Sequence, residues 1–552
     1  MAANSARKWW ALVAIAASVL VVGLDLTVLN LALPTISGDL HASTGDLQWI
    51  SDSYSLVLAA VMLPAGLLGD RFGRKRVLLA ALVLFGASSA ACAYAASVGE
   101  LIAARAVLGI GAAAIFPLSL SVIPVLFGPE ERQKAIALMA SATFISFPIG
   151  PIVGGYLLDH FWWGSVFLIN VPVVVLALVA VVMLLPESRS ERRPNVDFVG
   201  VLLSSAGLTG LTYGFIRAGE DGWGDTLALA TIAAGAAVLV AFVAWERLLT
   251  RRVREGRGVP GFRGVQPLIE LGLFRSAGFT WGTALATLVS FAMFGLFFAM
   301  PQYFQEVRGV NAMGSGLRLL PMIVGMVIGM IGGTRLATPG KAPSGTPARP
   351  PLASVKTLVT IGFAVMAAGL AVGATTAIGS STLFAAVWFG VAGLGLGLAM
   401  PQTMNSALAA LSAERSGSGS GLISALRQAG ATIGVAILGT VLGSVYRGHL
   451  NVTGLSAATA AIARGSVVAG VRVAHQVGSA ALLGSARSAF VQGMDTMLWV
   501  CAGIAITSAI LALIFLPRRA DALPAAEVAR QLSGAGRAAA DESDQEREGL
   551  EV

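Results

Sequence analysis

Charged residues are scarce in this chain. Asp, Glu, Lys and Arg make up 12% of its 552 residues, whereas hydrophobic residues make up 56%. A soluble domain typically has about 25% charged residues, so this composition excludes nearly every soluble enzyme. It predicts instead a protein that crosses a lipid bilayer several times.

Residues that commonly build catalytic or metal sites are also few. The two cysteines, Cys92 and Cys501, lie far apart in apolar runs, which excludes a disulfide framework or a Cys-x-x-Cys metal site. The four histidines are scattered without ligand spacing. The sequence has no Gly-x4-Gly-Lys-Ser/Thr loop, so we do not expect ATP hydrolysis. We therefore expect no enzyme activity, no metal and no cofactor.

Long apolar runs are the main feature that the sequence does have. A spanning helix needs about 20 mostly apolar residues, and fourteen runs meet this need. Their continuous apolar character favours helices over the alternating strands of a membrane barrel. The candidate spans are residues 10–33, 49–69, 76–97, 101–124, 134–157, 163–185, 197–217, 225–245, 279–301, 314–334, 356–378, 381–405, 419–446 and 490–516.

The distribution of Lys and Arg predicts the topology. Of 37 basic residues, 28 fall in one set of loops and tails, 6 in the opposite set and 3 inside spans. The basic set is expected inside the cell, so both termini are predicted to be cytoplasmic and the protein to lie in a bacterial cytoplasmic membrane. Because the formal charge of +8 arises mainly in these loops, it does not indicate nucleic-acid binding.

Motifs recur in the two ends of the chain. The pattern Gly-x-Gly-x5-Pro, for example, begins at Gly109 in span 4 and at Gly393 in span 12. Transporters often carry such duplicated halves. We predict an all-α polytopic membrane protein with two six-helix halves and an inserted helix pair. The expected divisions are a bundle at 1–190, the pair and a basic loop at 191–278, a bundle at 279–520 with an external loop at 447–489, and a disordered cytoplasmic tail at 521–552. The external loop is expected to form one or two short helices at the membrane interface.

Asp25 is interpreted as the only acidic residue deep inside a confident span. It lies nine residues before Pro34, which is about 13 Å from the outer end of span 1. Arg105 enters span 4 from the same side and lies roughly 6 Å deep by the same rise, so both residues are expected in the outer half of the membrane, where a pair between them is feasible. A charge at this depth is costly unless it is paired, hydrated or protonated. The pair is read either as a static link between spans or as a proton-titrating site.

The short loop between spans 2 and 3 is the second candidate region. It contains Gly66, Asp70, Arg71, Gly73 and Arg74, within the sequence GLLGDRFGRKR. Gly73 supplies the backbone freedom of a tight turn, and the cations match the inside bias. Asp70 is predicted to face the N-terminus of span 13, where a helix dipole favours an anion. That contact would bridge the two halves and favour an outward-open state.

Small residues and buried cations supply the remaining candidates. Span 5 contains small residues and a proline that permit close packing and a bend, namely Gly150, Pro151, Gly154 and Gly155. They are consistent either with plain helix packing or with a sealed contact between helices that takes part in the rocking motion. Residues of the second half offer a binding cavity, although lipid-facing or packed positions explain its aromatic members equally well. The candidate cavity residues are Arg318, Arg427, Phe291, Phe294 and Phe298.

These motifs together resemble the major facilitator superfamily, in its fourteen-helix drug:proton antiporter branch of QacA- and EmrB-like exporters. LDLTVLNLALP is similar to the span-1 motif of that branch, GLLGDRFGRKR to the loop motif, LIAARAVLGIGAA to the span-4 motif and GPIVGG to the antiporter motif. The resemblance covers about residues 10–516. It implies proton coupling through Asp25 and Arg105. Span 10 lacks the carboxylate that some relatives have, which disfavours doubly charged drugs.

The sequence therefore predicts a proton-coupled exporter of amphipathic, cationic or neutral drugs or antibiotics, working by alternating access as a monomer. Its partners would be drug molecules, protons and the lipid bilayer. A narrow self-resistance exporter of one antibiotic or metabolite is the alternative. Lipid or amino-acid export and a non-transporting membrane sensor remain further interpretations.

Overall fold

A computed structural model describes residues 2–127, 129–187, 197–255, 265, 267–269, 271–337, 352–409 and 416–517. These residues form seventeen α-helices, with a 3-10 turn at Leu271–Arg275 and a π-helical turn at Tyr303–Val307. The predicted tail at 521–552 lies outside the described residues. The helices are α1 (Ala2–Leu40), α2 (Thr44–Phe72), α3 (Arg74–Ala93), α4 (Val98–Leu126), α5 (Pro129–His160), α6 (Ser165–Leu168), α7 (Asn170–Leu184), α8 (Phe198–Asp221), α9 (Thr226–Arg254), α10 (Ala277–Gln302), α11 (Ala312–Ala337), α12 (Val355–Gly373), α13 (Thr382–Ala409), α14 (Ser416–His449), α15 (Ala457–Gly465), α16 (Val467–Gln476) and α17 (Ala480–Phe515).

Twelve helical segments among the described residues are long and apolar enough to cross a membrane, with α6 and α7 counted as one segment. Helices α2 and α5 have 29 and 32 residues, but some of their side chains lie outside the described set. The prediction of an all-α polytopic membrane protein is confirmed. The count of fourteen spans stays a prediction.

Polar caps set where several helices begin. Ser43 and Asp46 form a reciprocal capping box at the start of α2. Asp197 and Asp225 accept hydrogen bonds from the first turns of α8 and α9. Asp225 lies in the turn outside the spans, where a hydrogen bond from Arg217 lowers the pKa of its carboxyl. Each of these three helices therefore starts at a residue whose side chain accepts a hydrogen bond from a free backbone N–H group of the first turn.

The helices pack as two similar halves. In the first half, α2 and α3 pack on α4, while α1 packs on α5 and α7. In the second half, α11 and α12 pack on α13, while α10 packs on α14 and α17. Spans in equivalent positions therefore make equivalent contacts, as the repeated motifs predict.

Two seams join the halves. Helix α2 packs against α14, and α5 packs against α11. The inserted pair, α8 and α9, packs together, and α8 also contacts α2 and α14. The pair therefore covers the α2–α14 seam. Among the described residues, neither α8 nor α9 makes an extensive contact with α5 or α11.

Each half has its own hydrophobic core. Phe298 and Val435 are exceptions, because they belong to the second half but pack in the core of the first. Phe298 is completely buried, and Val435 is 2% exposed. These two side chains link the apolar interiors of the halves.

Among the described residues, polar contacts between the halves lie mainly on one side of the molecule, which we call the outer side because α15 and α16 lie there. The Ser37 hydroxyl lies 3.3 Å from that of Ser466, and the Thr44 hydroxyl donates to the carbonyl of Gly465. The Gln48 side chain donates to two carbonyls of α14. The structure is therefore closed at its outer side.

The predicted external loop does form two short helices. Of the two, α16 packs on α17 and on α1. Val467 and Val471 are buried in the core of the second half. The apolar side chains of α16 are therefore used largely for packing within the protein, whereas Ile462 of α15 is 60% exposed, and the placement of this segment at the membrane interface stays a prediction.

Candidate transport site

Asp25 of α1 and Arg105 of α4 form a buried ion pair. Arg105 Nη1 lies 2.5 Å from Asp25 Oδ2, and both residues are 1–2% exposed. Arg105 Nε also donates to the carbonyl of Ile50 at 3.1 Å. The sequence places both residues in the outer half of the membrane, and the structure brings them together. Their role in proton coupling stays a prediction.

A polar chain continues from the other carboxylate oxygen. Asn170 Nδ2 lies 3.3 Å from Asp25 Oδ1 and 3.1 Å from the hydroxyl of Ser89, which in turn donates to the carbonyl of Phe167. Asn170 starts α7, directly after the break that separates α7 from α6. Asn170 is not among the site residues predicted from the sequence, although a lone amide inside an apolar span is the available signal.

Aromatic rings enclose the arginine. The guanidinium carbon of Arg105 lies 4.4 Å from the ring centre of Tyr54 and 6.0 Å from that of Phe167. Such contacts favour a cation in a desolvated site. The Tyr54 hydroxyl finds no hydrogen-bond partner among the described residues. The rings therefore give Arg105 contacts that do not depend on Asp25.

This arrangement can link protonation to contacts between helices. Breaking a buried ion pair by removing one partner typically costs about 3–5 kcal/mol. A proton on Asp25 would neutralise the anion while Arg105 kept the carbonyl of Ile50 and the ring of Tyr54. Protonation of Asp25 would then weaken the attraction between α1 and α4, while Arg105 would stay in its position.

Asp52 corrects the expectation that Asp25 is the only deep acid. It is completely buried, and neither carboxylate oxygen has a hydrogen-bond partner among the described residues. The predicted span 2 begins at residue 49, which places Asp52 at its edge. The helix begins at Thr44, so Asp52 lies eight residues inside it, about 12 Å along its axis.

The glycines of the span-5 motif lie at two close helix contacts. A Cβ on Gly150 would meet the Thr27 hydroxyl, and one on Gly154 would lie 2.8 Å from Val28 in α1. A Cβ on Gly155 would lie 2.6 Å from the backbone of Met313, and Gly316 approaches the carbonyl of Pro151. The motif therefore packs on α1 within its own half and on α11 across the seam.

The loop motif is only partly described. Gly73 has a φ of 109°, which favours glycine, and a Cβ there would lie 2.6 Å from Glu187. Glu187 also accepts from the backbone of Lys75, and thus ties the loop to the end of α7. Arg71 and Arg74 each interact with other residues of the protein. A Cβ on Gly66 would have no neighbouring heavy atom within 4 Å. The side chain of Asp70 and the chain at 410–415 lie outside the described residues, so the contact of Asp70 with the N-terminus of span 13 stays a prediction.

The candidate cavity residues do not meet around one space. Arg318 bonds the carbonyl of Gly314 in its own helix, and Arg427 Nε lies 3.3 Å from the Ser290 hydroxyl. Phe298 is enclosed in the core of the first half. Phe291 is also mostly buried and Phe294 is half-buried. None of the five residues lines the large inner cavity described below.

Comparison with known proteins places this arrangement in a family. The model of the Major Facilitator Superfamily matches residues 15–435. The tetracenomycin C resistance and export protein of Streptomyces glaucescens is 34% identical over 79% of this chain and 76% of its own length. The multidrug efflux pump LfrA of Mycolicibacterium smegmatis is 33% identical over 91% of this chain and 95% of its own length.

A solved structure shows the same fold. It is a bacterial homologue of the human lysosomal transporter Spinster in an inward-facing, unoccupied conformation. The TM-score is 0.63 at 17% identity, and the match covers 93% of this chain and 98% of the other. At this identity the likeness concerns the fold alone.

Proposed function

This chain belongs to the Major Facilitator Superfamily, and from this premise we propose that it exports amphipathic, cationic or neutral drugs across a bacterial cytoplasmic membrane in exchange for protons. Export would be driven by the proton gradient alone, in a monomer with both termini in the cytoplasm. The names of its relatives, which include an antibiotic export protein and a multidrug efflux pump, support drug export.

The ion pair of Asp25 and Arg105 carries the proposal of proton coupling. It is buried, and it joins two helices of one half. A proton from outside would reach Asp25 when the outer side is open, and would neutralise it. After the change to the inward-facing state, release of that proton would restore the pair with Arg105. A cationic drug bound nearby would favour this release by charge repulsion.

Asp25→Asn in proteoliposomes tests the proposal. The variant should lose drug export driven by a pH gradient, because its side chain cannot exchange a proton. Downhill drug movement should be partly retained, since the amide still accepts a hydrogen bond from Arg105. Asp25→Glu should retain some uphill export with a shifted pH optimum, and Arg105→Lys should show a partial defect because it loses the planar fork.

Asp39→Asn is a matched control, because Asp39 is an exposed acid on the same helix. It should export at the wild-type rate. Uphill export by Asp25→Asn at the wild-type rate would assign Asp25 a structural role and would refute the proposal as written.

A narrow exporter of one antibiotic is the second candidate function. The relative from Streptomyces glaucescens is named for resistance to and export of a single compound. A screen of unrelated drugs in energised membrane vesicles separates the two functions. Transport of several chemical classes supports a multidrug exporter, whereas transport of one supports the narrow function.

A further inference from the structure

A large cavity lies beside the α2–α14 seam, towards the inner side. It has a volume of about 1,060 Å³ and lies between the inserted pair and α14. Its walls also include Ala59 and Ala60 of α2, Thr287 of α10 and the 3-10 turn that precedes α10. The cavity therefore separates the inner part of the seam from the inserted pair.

The walls of the cavity extend over the depth of one membrane leaflet. Along α9 they run from the apolar Leu239 and Phe242 to Arg251 at the inner end, a rise of about 18 Å. Along α14 they run from Leu422 to Ile433, a rise of about 16 Å. Half of the hydrocarbon core of a bilayer is about 15 Å, so the cavity matches the length of an acyl chain.

The inner end of the cavity is basic. Arg247, Arg251 and Arg275 line it, together with one acid, Glu255. Glu255 pairs with Arg251 at 2.8 Å. Among the described lining residues, Arg247 and Arg275 therefore remain positively charged without an acidic partner in the lining, which favours an anionic group and disfavours a cationic drug.

Among the described residues, only the helices α8 and α9 separate the cavity from the bilayer on this side. Only 17% of the residues in the most apolar stretch of α9 are buried, and 28% in that of α8. These helices therefore face lipid on their other side. Leu268 and Ile269 also line the cavity. The Glu246 carboxylate holds them in place by accepting hydrogen bonds from their backbone N–H groups.

We propose that this cavity binds an anionic phospholipid of the inner leaflet, with its headgroup on Arg247 and Arg275 and an acyl chain along Leu239, Phe242 and Ile433. The charge at one end and the apolar length together favour a phospholipid over a compact anion. The lipid would fill the space between the inserted pair and the seam. This assignment does not depend on the proposed drug export.

Native mass spectrometry of the purified full chain tests the proposal. The protein is incubated with phosphatidylglycerol or phosphatidylethanolamine of identical acyl chains, and the retained lipid is counted. The wild-type protein should prefer phosphatidylglycerol, and each of Arg247→Gln and Arg275→Gln should weaken this preference about fivefold. Arg252→Gln is the control, because Arg252 is on the same helix but outside the cavity lining.

A second variant tests the apolar part. Ala429→Trp places a large side chain in the cavity wall, so it should reduce retention of phosphatidylglycerol although both arginines remain. Equal retention of the two lipids by the wild-type protein, or an unchanged preference in both arginine variants, would overturn the proposal. So would retention of a transported drug in place of the lipid. Since the measurement counts bound lipid, a failure of drug transport does not affect it.

Discussion

Asp159 joins the two halves at the outer side by capping a helix of the opposite half. Its carboxylate accepts from the Asn311 side chain at 2.6 Å and from the backbone N–H groups of Ala312 and Met313 at 3.1 and 3.4 Å. These residues begin α11, where the helix dipole favours an anion. Opening the outer side would separate Asp159 from α11, so Asp159→Ala should favour the outward-open state.

The size of the effect follows from the geometry. Loss of a helix cap costs about 0.5–2 kcal/mol. Asp159 and Asn311 are exposed to solvent, which weakens a charged contact, so we expect about 1 kcal/mol. Because the cap is lost only from the closed state, the ratio of outward-open to closed molecules should rise about fivefold.

Distances between spin labels measure this ratio. Labels at Ala96, between α3 and α4, and at Gly379, between α12 and α13, report the separation of the halves at exposed outer positions. Asp225→Ala is the control, since Asp225 caps α9 within the inserted pair. An unchanged distance distribution in Asp159→Ala, or an equal shift in the control, would refute the reasoning.

Three further outcomes are expected. Asp52→Asn should leave the thermal unfolding midpoint near that of the wild type, because its carboxylate has no partner among the described residues; a large drop would reveal an ionic partner. Gly73→Ala should destabilise the fold by about 1–3 kcal/mol in thermal unfolding, because of its positive φ and the contact with Glu187, whereas equal midpoints would contradict this. Cysteines at positions 345 and 465 should react with impermeant reagents from the cytoplasmic and external sides respectively, and labelling of both from one side would contradict the topology.

The sequence predicts features that depend on composition and on distance along a helix. The apolar runs locate the spans because a bilayer requires that length, and the depths of Asp25 and Arg105 allow the two to meet. The repeated glycine patterns indicate duplicated halves, because close helix contacts impose small residues at equivalent positions.

Features that depend on helix ends or on partners from distant parts of the chain were not predictable. Asp52 was misjudged because α2 begins five residues before the apolar run that marks the span. Asn170 forms a hydrogen bond to Asp25, which is 145 residues away, and Asp159 bonds partners 152–154 residues away. A residue's own neighbours in sequence do not specify such contacts, so only the packed structure reveals them.

The insertion of Phe298 and Val435 into the core of the first half has a thermodynamic consequence. A point where both halves share buried apolar side chains can serve as a pivot, because the halves can rotate about it without exposing that surface. Heat-capacity changes follow the apolar area that becomes exposed to water. The heat-capacity change between the inward-facing and outward-open states should therefore arise mainly from the apolar area that the two seams expose. Phe298 and Val435 should contribute little to it, because they stay buried.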